Sequence, residues 1–200
     1  GYGATECAPI ICYSDWHDFA EGSCGRAAYH QQVKIDSEDP ETIPGEILTK
    51  GPNVLLGYYK NPEATEASID KDGWFHTGDL GLMDSDGNVF IKGRSKNLLL
   101  GSNGQNIYPE EIEDKLNSLP LVNECLVIQE GNKLVALVHP DFDEAKSIGL
   151  NHSDVEKIME QDLQQLNGLI PSYSRVSEIR IQEEEFAKTP KRSIKRYLYA

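Results

Sequence analysis

Ile91-Lys92-Gly93-Arg94-Ser95-Lys96-Asn97 is where the chain changes its grammar, and the reading of this stretch decides the fold. Upstream of it, short apolar runs alternate with turn residues. Gly45-Glu46-Ile47-Leu48-Thr49 reads as a strand between Pro44 and the turn at Gly51-Pro52, and the apolar run Val54-Leu55-Leu56 follows it. Asn61-Pro62-Glu63 predicts a short helix, with Asn61 as N-cap, Pro62 in the first helical position and Glu63 near the positive end of the dipole. Leu80 to Met83 and Asn88 to Ile91 flank Asp84-Ser85-Asp86-Gly87, whose Asp-Gly supplies the positive φ of a tight hairpin turn.

Downstream, strands alternate with helices. Tyr108-Pro109-Glu110-Glu111-Ile112 opens a helix with Ile112 and Leu116 one turn apart on its buried face. Cys125 to Gln129 and Lys133 to Val138 pair as a hairpin across Glu130-Gly131-Asn132. Ser153-Asp154-Val155-Glu156 reads as a capping box, with Val155, Ile158, Met159, Leu163 and Leu166 as the apolar stripe behind it and Gly168 and Pro171 as the stop. Ile179 and Ile181 alternate with polar residues as a last strand. The expected fold class is α+β, with a boundary near Gly93 to Lys96 that divides a β-rich half, residues 1–94, from an α+β domain, residues 95–200.

Against 19 Lys and Arg stand 33 Asp and Glu, a net charge of -14. That field repels nucleic acid and anionic lipid, so no nucleic-acid partner is expected and any phosphate-rich ligand must be held by local contacts. No apolar run approaches the roughly 20 residues that span a bilayer, although peripheral contact with a membrane stays compatible with the composition. The chain opens without Met and without a signal peptide, which reads as a cut inside a longer protein. Cys7, Cys12, Cys24 and Cys125 form no CxxC pair, so a zinc site is not expected and reduced thiols in a cytoplasmic setting are.

Three clusters carry chemistry. Gly1-Tyr2-Gly3-Ala4-Thr5-Glu6 offers an aromatic face, a flexible backbone, a hydroxyl and a carboxylate in one short turn, the parts of a nucleotide site; a Gly-rich surface turn is the competing reading. In Trp74-Phe75-His76-Thr77-Gly78-Asp79-Leu80, Asp79 could accept two hydrogen bonds from a ribose diol, as acidic residues do in other nucleotide sites. Trp74 and Phe75 read as core aromatics, and His76 is given no catalytic role. Arg94, after Gly93, brings a planar donor fork suited to a diol or a phosphate, and Gly104 lets backbone approach a ligand closely.

GYGATE, GEILTKGPNVLLGYYKNPEAT, GWFHTGDLG, GRSKNLLL, GQNIYPEEIE and the terminal FAKTPKRSIKR occur in an order and spacing that resemble the AMP-forming adenylation superfamily: acyl-CoA synthetases, luciferases and peptide-synthetase adenylation domains. The wording is most similar to bacterial long-chain fatty acid-CoA ligases. The resemblance implies a ligase that joins a fatty acid to ATP with Mg²⁺ and passes the acyl group to coenzyme A. It also implies the β-rich end of a large adenylation domain, followed by a small mobile C-terminal domain. Tyr2 would stack on adenine, Thr5 contact the α-phosphate and Glu6 bind Mg²⁺, while Asp79 and Arg94 would hold the ribose. Lys96 matches the hinge, and the loop around Gly104 would line the coenzyme A tunnel.

One departure stands out, because alignment puts Ser193 where the family carries a lysine that reaches the adenylation centre. If the segment is extended, Lys191 and Lys195 share the face on which Ser193 points, and one of them is expected to supply the missing cation. The competing reading is a solvated basic tail of Lys188, Lys191, Arg192, Lys195 and Arg196. The family's phosphate loop and acyl pocket are missing from these residues, so the chain alone is expected to be inactive as a ligase. Two further readings of the motifs are another adenylate-forming ligase (aryl-CoA, carrier-protein or peptide-synthetase) and a non-catalytic nucleotide-binding relative.

Overall fold

The computed structural model describes residues 1–101 and 103–199; Ser102, in the Gly104 loop, lies outside them. The chain divides into two compact units, Gly1–Lys96 and Asn97–Ala200.

The first unit is built from antiparallel strands. Strands β1 (Tyr2–Gly3), β2 (Ile10–Tyr13) and β3 (Arg26–Ala27) form one small sheet; β4 (Gln32–Asp36), β5 (Gly45–Lys50), β6 (Phe75–Met83) and β7 (Val89–Arg94) form another in chain order. Its core gathers Tyr2, Cys7, Ile11, Cys12, Ile35, Ile47, Phe75 and Val89. Phe75 is a core aromatic as expected, and Trp74 is half-buried under the Lys34 ammonium, 4.3 Å from its ring centroid. The β6–β7 turn closes on Gly87 at φ 83°, with Asp84 accepting from the amides of Asp86 and Asn88. Helix α1 (Pro62–Ser68) starts as expected, with the Asn61 side chain accepting from Ala64 N–H. The run Val54-Leu55-Leu56 forms no strand: Val54 and Leu55 pack on the core from an irregular segment, and the Leu55 amide donates to the Glu6 carbonyl.

In the second unit, β8 (Leu99–Leu100) and β9 (Asn106–Ile107) form a short hairpin before helix α2 (Pro109–Asn117). Strands β10 (Val122–Glu130) and β11 (Lys133–Pro140) pair antiparallel, helices α3 (Phe142–Ser147) and α4 (His152–Leu169) follow, and β12 (Val176–Ile181) joins β11 in parallel. A parallel neighbour needs such a crossover. Alternation along β10 and β11 sorts two apolar sets. Cys125, Val127, Leu134, Ala136 and Val138 join the cluster that holds Ile112, Leu116, Val155, Met159 and Leu166 of the helices. Leu126, Ile128, Val135 and Leu137 instead pack with Phe186, Ile194 and Tyr199 of the C-terminal tail. Both faces being covered explains why these strands read as continuous apolar runs.

The box that opens α4 differs from expectation. The N-cap is Asn151, whose side chain accepts from Asp154 N–H while Asp154 accepts from Asn151 N–H. Ser153 lies inside the helix, where its hydroxyl has no orphan amide to cap.

Candidate functional site

The polar constellation of the first unit begins at a glycine that nothing can replace. A Cβ on Gly3 would lie 2.1 Å from the Pro9 carbonyl oxygen, so only glycine lets β1 turn into the 3-10 turn Thr5–Cys7. That turn puts Thr5 on the surface, with Glu6 half-buried and one of its oxygens 3.2 Å from the Tyr58 hydroxyl. Tyr2, at the root of the turn, is 9% exposed and donates its hydroxyl to Asp79 Oδ2 at 2.6 Å. Burial, then the bond to Asp79, push that hydroxyl far above the ordinary tyrosine range, so it stays protonated and donates to the carboxylate.

Asp79 reaches Tyr2 through an irregularity in the sheet. The register of β5 and β6 runs from Glu46↔Leu80 to Leu48↔His76, so Thr77, Gly78 and Asp79 stand opposite Ile47 alone. Such a bulge re-aims the side chains it contains. Gly78 turns it at φ 72°; its amide donates to Glu46 Oε1 at 2.8 Å, and Glu46 Oε2 lies 2.8 Å from His76 Nδ1. Thr77 Oγ1 donates to the Ile47 carbonyl and accepts from Asp79 N–H. Asp79 then faces its cross-strand partner Arg94, whose Nε is 2.8 Å from Oδ1. The Asp79 side chain is 12% exposed and that of Arg94 62%. A nearly buried carboxylate thus meets an exposed guanidinium with donors to spare.

Tyr2, Asp79 and Arg94 are therefore brought into direct contact, and Thr5 and Glu6 leave the strand that carries Tyr2. Among the described residues no group of three or more His, Cys, Asp and Glu could hold a metal ion by itself. A cation held at Glu6 would need phosphate and water for its other ligands, which suits Mg²⁺.

Lys96 lies in the 3-10 turn Ser95–Asn97, at the end of the first unit. Gly104 sits at φ 79° in the hairpin loop, with open space where a Cβ would be and its amide on the Gly101 carbonyl.

The tail departs from the extended form expected of it. Pro190, with φ fixed by its ring, starts a turn in which Arg192 N–H donates to the Thr189 carbonyl, and Arg192 adopts φ 62°. Thr189 N–H donates to the Ser193 carbonyl, and Lys188 bridges to Ile194. With Lys191 inside that turn and Lys195 beyond it, the two do not alternate along one extended face. The tail is not uniformly solvated either. Lys188 Nζ is 2.5 Å from Glu124 and 3.2 Å from Glu185, and Arg196 pairs with Glu113 and donates to the Val127 carbonyl.

Glu46, Tyr58 and Glu113 escaped the sequence reading. A signal existed for Glu113: Pro109, Ile112, Glu113 and Leu116 are the buried residues of α2 and share one face, so a carboxylate stands in an apolar stripe. For Glu46 and Tyr58, no local signal separates them from other residues of a strand and a loop.

Residues 1–59 match the AMP-binding enzyme family and residues 96–199 match the C-terminal domain of AMP-binding enzymes. The chain is 42% identical over 133 residues to a long-chain-fatty-acid-CoA ligase of Escherichia coli, covering 64% of this chain and 23% of that protein. It is 36% identical over 194 residues to an indoleacetate-CoA ligase of Aromatoleum aromaticum, covering 92% and 36%. Among solved structures, o-succinylbenzoate CoA synthetase from Bacillus subtilis, in complex with its acyl-adenylate, is similar with a TM-score of 0.78 at 25% identity, over 100% of this chain and 40% of that one. The chain thus spans between about a quarter and two-fifths of the relatives it matches. With both matches falling on the two units described above, the chain belongs to the AMP-binding enzyme family.

Proposed function

We propose that this chain is part of an AMP-forming acid–thiol ligase. In the first reaction a carboxylate oxygen attacks the α-phosphorus of ATP, the bond to the β-phosphate breaks and pyrophosphate leaves. In the second the sulfur of coenzyme A attacks the acyl carbon, the bond to AMP breaks and the thiol proton is released. The observation that carries this reading is the Tyr2–Asp79–Arg94 contact in a chain matched at both ends by AMP-binding enzymes.

On this reading Asp79 accepts the two ribose hydroxyls, held in place by Tyr2 below and by the Glu46-pinned bulge behind. Arg94 adds donors from the exposed side; Tyr2, 9% exposed with its ring in the core, serves as the donor that holds Asp79 rather than as the open face that stacking on adenine requires. Thr5 contacts the α-phosphate. Glu6, restrained by Tyr58, holds Mg²⁺, which neutralises phosphate charge when bound. Residues 1–94 end the large ATP- and acyl-binding domain, Lys96 is the hinge of a mobile domain over 95–200, and Gly104 flanks the path of coenzyme A. A hinge suits two reactions with different requirements at one centre.

The acyl group on this reading is a long-chain fatty acid, supported by 46% identity over 119 residues to a long-chain-fatty-acid-CoA ligase of Salmonella typhimurium. A feruloyl-CoA synthase of Amycolatopsis sp at 42% identity marks the aryl acids as the comparison set. Pyrophosphate exchange into ATP by the full-length protein, run with palmitate, ferulate and indoleacetate, tests both levels. Exchange is expected to depend on the acid and to be fastest with palmitate. No exchange with any acid overturns the ligase reading, and faster exchange with an aryl acid overturns the fatty-acid assignment. The 200-residue chain alone is expected to show none.

A further inference from the structure

The buried ion pair of the second unit singles out one of the two candidate lysines. Glu113 is 8% exposed, on the inner face of α2. One of its oxygens accepts from Val127 N–H at 2.7 Å, and the other pairs with the Arg196 guanidinium, which also donates to the Val127 carbonyl at 3.3 Å and lies 4.0 Å from Glu110. Arg196 is therefore fastened to α2 and to β10 at once.

The same clamp fixes the residue before it. Lys195 N–H donates to the Ala187 carbonyl at 2.8 Å, and Ile194 packs on the apolar face formed by Leu126, Ile128, Val135 and Leu137. Farther along, Tyr199 accepts from Ala187 N–H at 2.9 Å and sits edge-on against Phe186, with ring centroids 5.1 Å apart. The Lys195 backbone is thus held on both sides. Its ammonium, by contrast, has no hydrogen bond or ion pair among the described residues. Lys191 is exposed at the tip of the Thr189–Arg192 turn, secured by that turn alone. A cation that stabilises developing charge must be placed before the reaction begins, since reorganising it during the step forfeits the gain.

Resting on the ligase reading, we infer that Lys195 supplies the cation missing at Ser193 and that Glu113, through Arg196, is the residue that positions it. Lys195 is the catalytic group. Glu113 touches no substrate and acts by fixing the tail.

The test follows both half-reactions in the full-length enzyme: pyrophosphate exchange for adenylation, and thioester formation from supplied acyl-adenylate. Lys195→Ala is expected to slow adenylation about 100-fold, the scale of a lost preorganised charge contact. Glu113→Gln is expected to slow it about tenfold by misplacing the tail, with Glu113→Asp recovering part of the loss. Both variants should retain most thioester formation, which also reports that the domain has folded. Lys191→Ala should lose less adenylation than Lys195→Ala. A loss with Lys191→Ala that equals or exceeds that of Lys195→Ala overturns the assignment. So does a Glu113→Gln enzyme that adenylates at the parental rate, or one that loses both half-reactions alike, because Glu113 would then be merely structural. A parental enzyme that makes no acyl-adenylate sinks the ligase reading itself, which is a separate outcome.

Discussion

Asp79 with Arg94 and Glu113 with Arg196 are the same two functional groups in opposite settings. In the first pair the carboxylate is nearly buried and its arginine is 62% exposed; in the second the side chains are 11% and 23% exposed. Arg94 comes from the neighbouring strand, where a ligand hydroxyl could share or replace its donors. Arg196 comes from 83 residues away and is spent on closing the chain on itself. An arginine half in water leaves a carboxylate able to exchange partners, whereas one turned inward makes the carboxylate a fastening.

The sharpest way to break this contrast is to remove each carboxylate and measure unfolding by denaturant. Glu113→Ala leaves Arg196 partly buried without its partner and should cost about 3 kcal/mol. Glu113 also has a pH signature. Burial, opposed by Arg196, raises its carboxyl above the ordinary value of 4.5. As pH rises, the unfolded chain therefore loses that proton first. The part of its stabilising contribution that comes from this shift is complete below 4.5 and is lost as pH rises through the raised value, while the bonds to Val127 and Arg196 persist, so the advantage of the parent over Glu113→Gln should shrink from pH 4.5 upward without vanishing. An advantage that grows over this range would contradict a buried, raised carboxyl.

Asp79→Ala should cost less, about 2 kcal/mol, because it strands the Tyr2 hydroxyl while Arg94 returns to water. Tyr2→Phe removes the donor and leaves Asp79 one bond short, for about 1 kcal/mol. If Asp79→Ala proves as costly as Glu113→Ala, the first pair is a fastening too, and its role as an exchangeable acceptor fails.

What was legible in the sequence follows the same division between local and distant causes. The Asn61 cap, the Asp84–Gly87 turn and the start of α2 at Pro109 are settled within a few residues, and the structure has them where the sequence predicts. The start of α4 differs from the sequence expectation because Asn151 and Ser153 compete locally as caps, and the winner, Asn151, is the one whose side chain meets an orphan amide. The tail departs from its expected extended form for a different reason. Pro190 favours a turn, yet the closing bridge between Lys188 and Ile194 depends on Ile194 finding an apolar face made by β10 and β11. Asp79 could be proposed from its neighbours as an acceptor, but its aim is set by Glu46, 32 residues from the Gly78 amide it pins. No window short enough to show a motif contains that pair.

Arg94→Ala is the smallest effect and the most discriminating one. Surface ion pairs contribute about 0–1 kcal/mol, because water competes with the partner and the long side chain loses freedom when held. With Arg94 62% exposed, water can take its place at Asp79 Oδ1 while Tyr2 stays on Oδ2. Unfolding should therefore change by about 0.5 kcal/mol, while binding of AMP by the full-length protein, followed by calorimetry, should weaken about tenfold, the loss of one charge-assisted hydrogen bond. Arg196→Ala should do the reverse, because its guanidinium is consumed within the second unit: a large loss of stability, with AMP affinity changed less than by Arg94→Ala. A stability loss for Arg94→Ala as large as that for Arg196→Ala would show that exposure does not separate the two pairs. Unchanged AMP affinity in Arg94→Ala would show that its exposed donors serve no ribose.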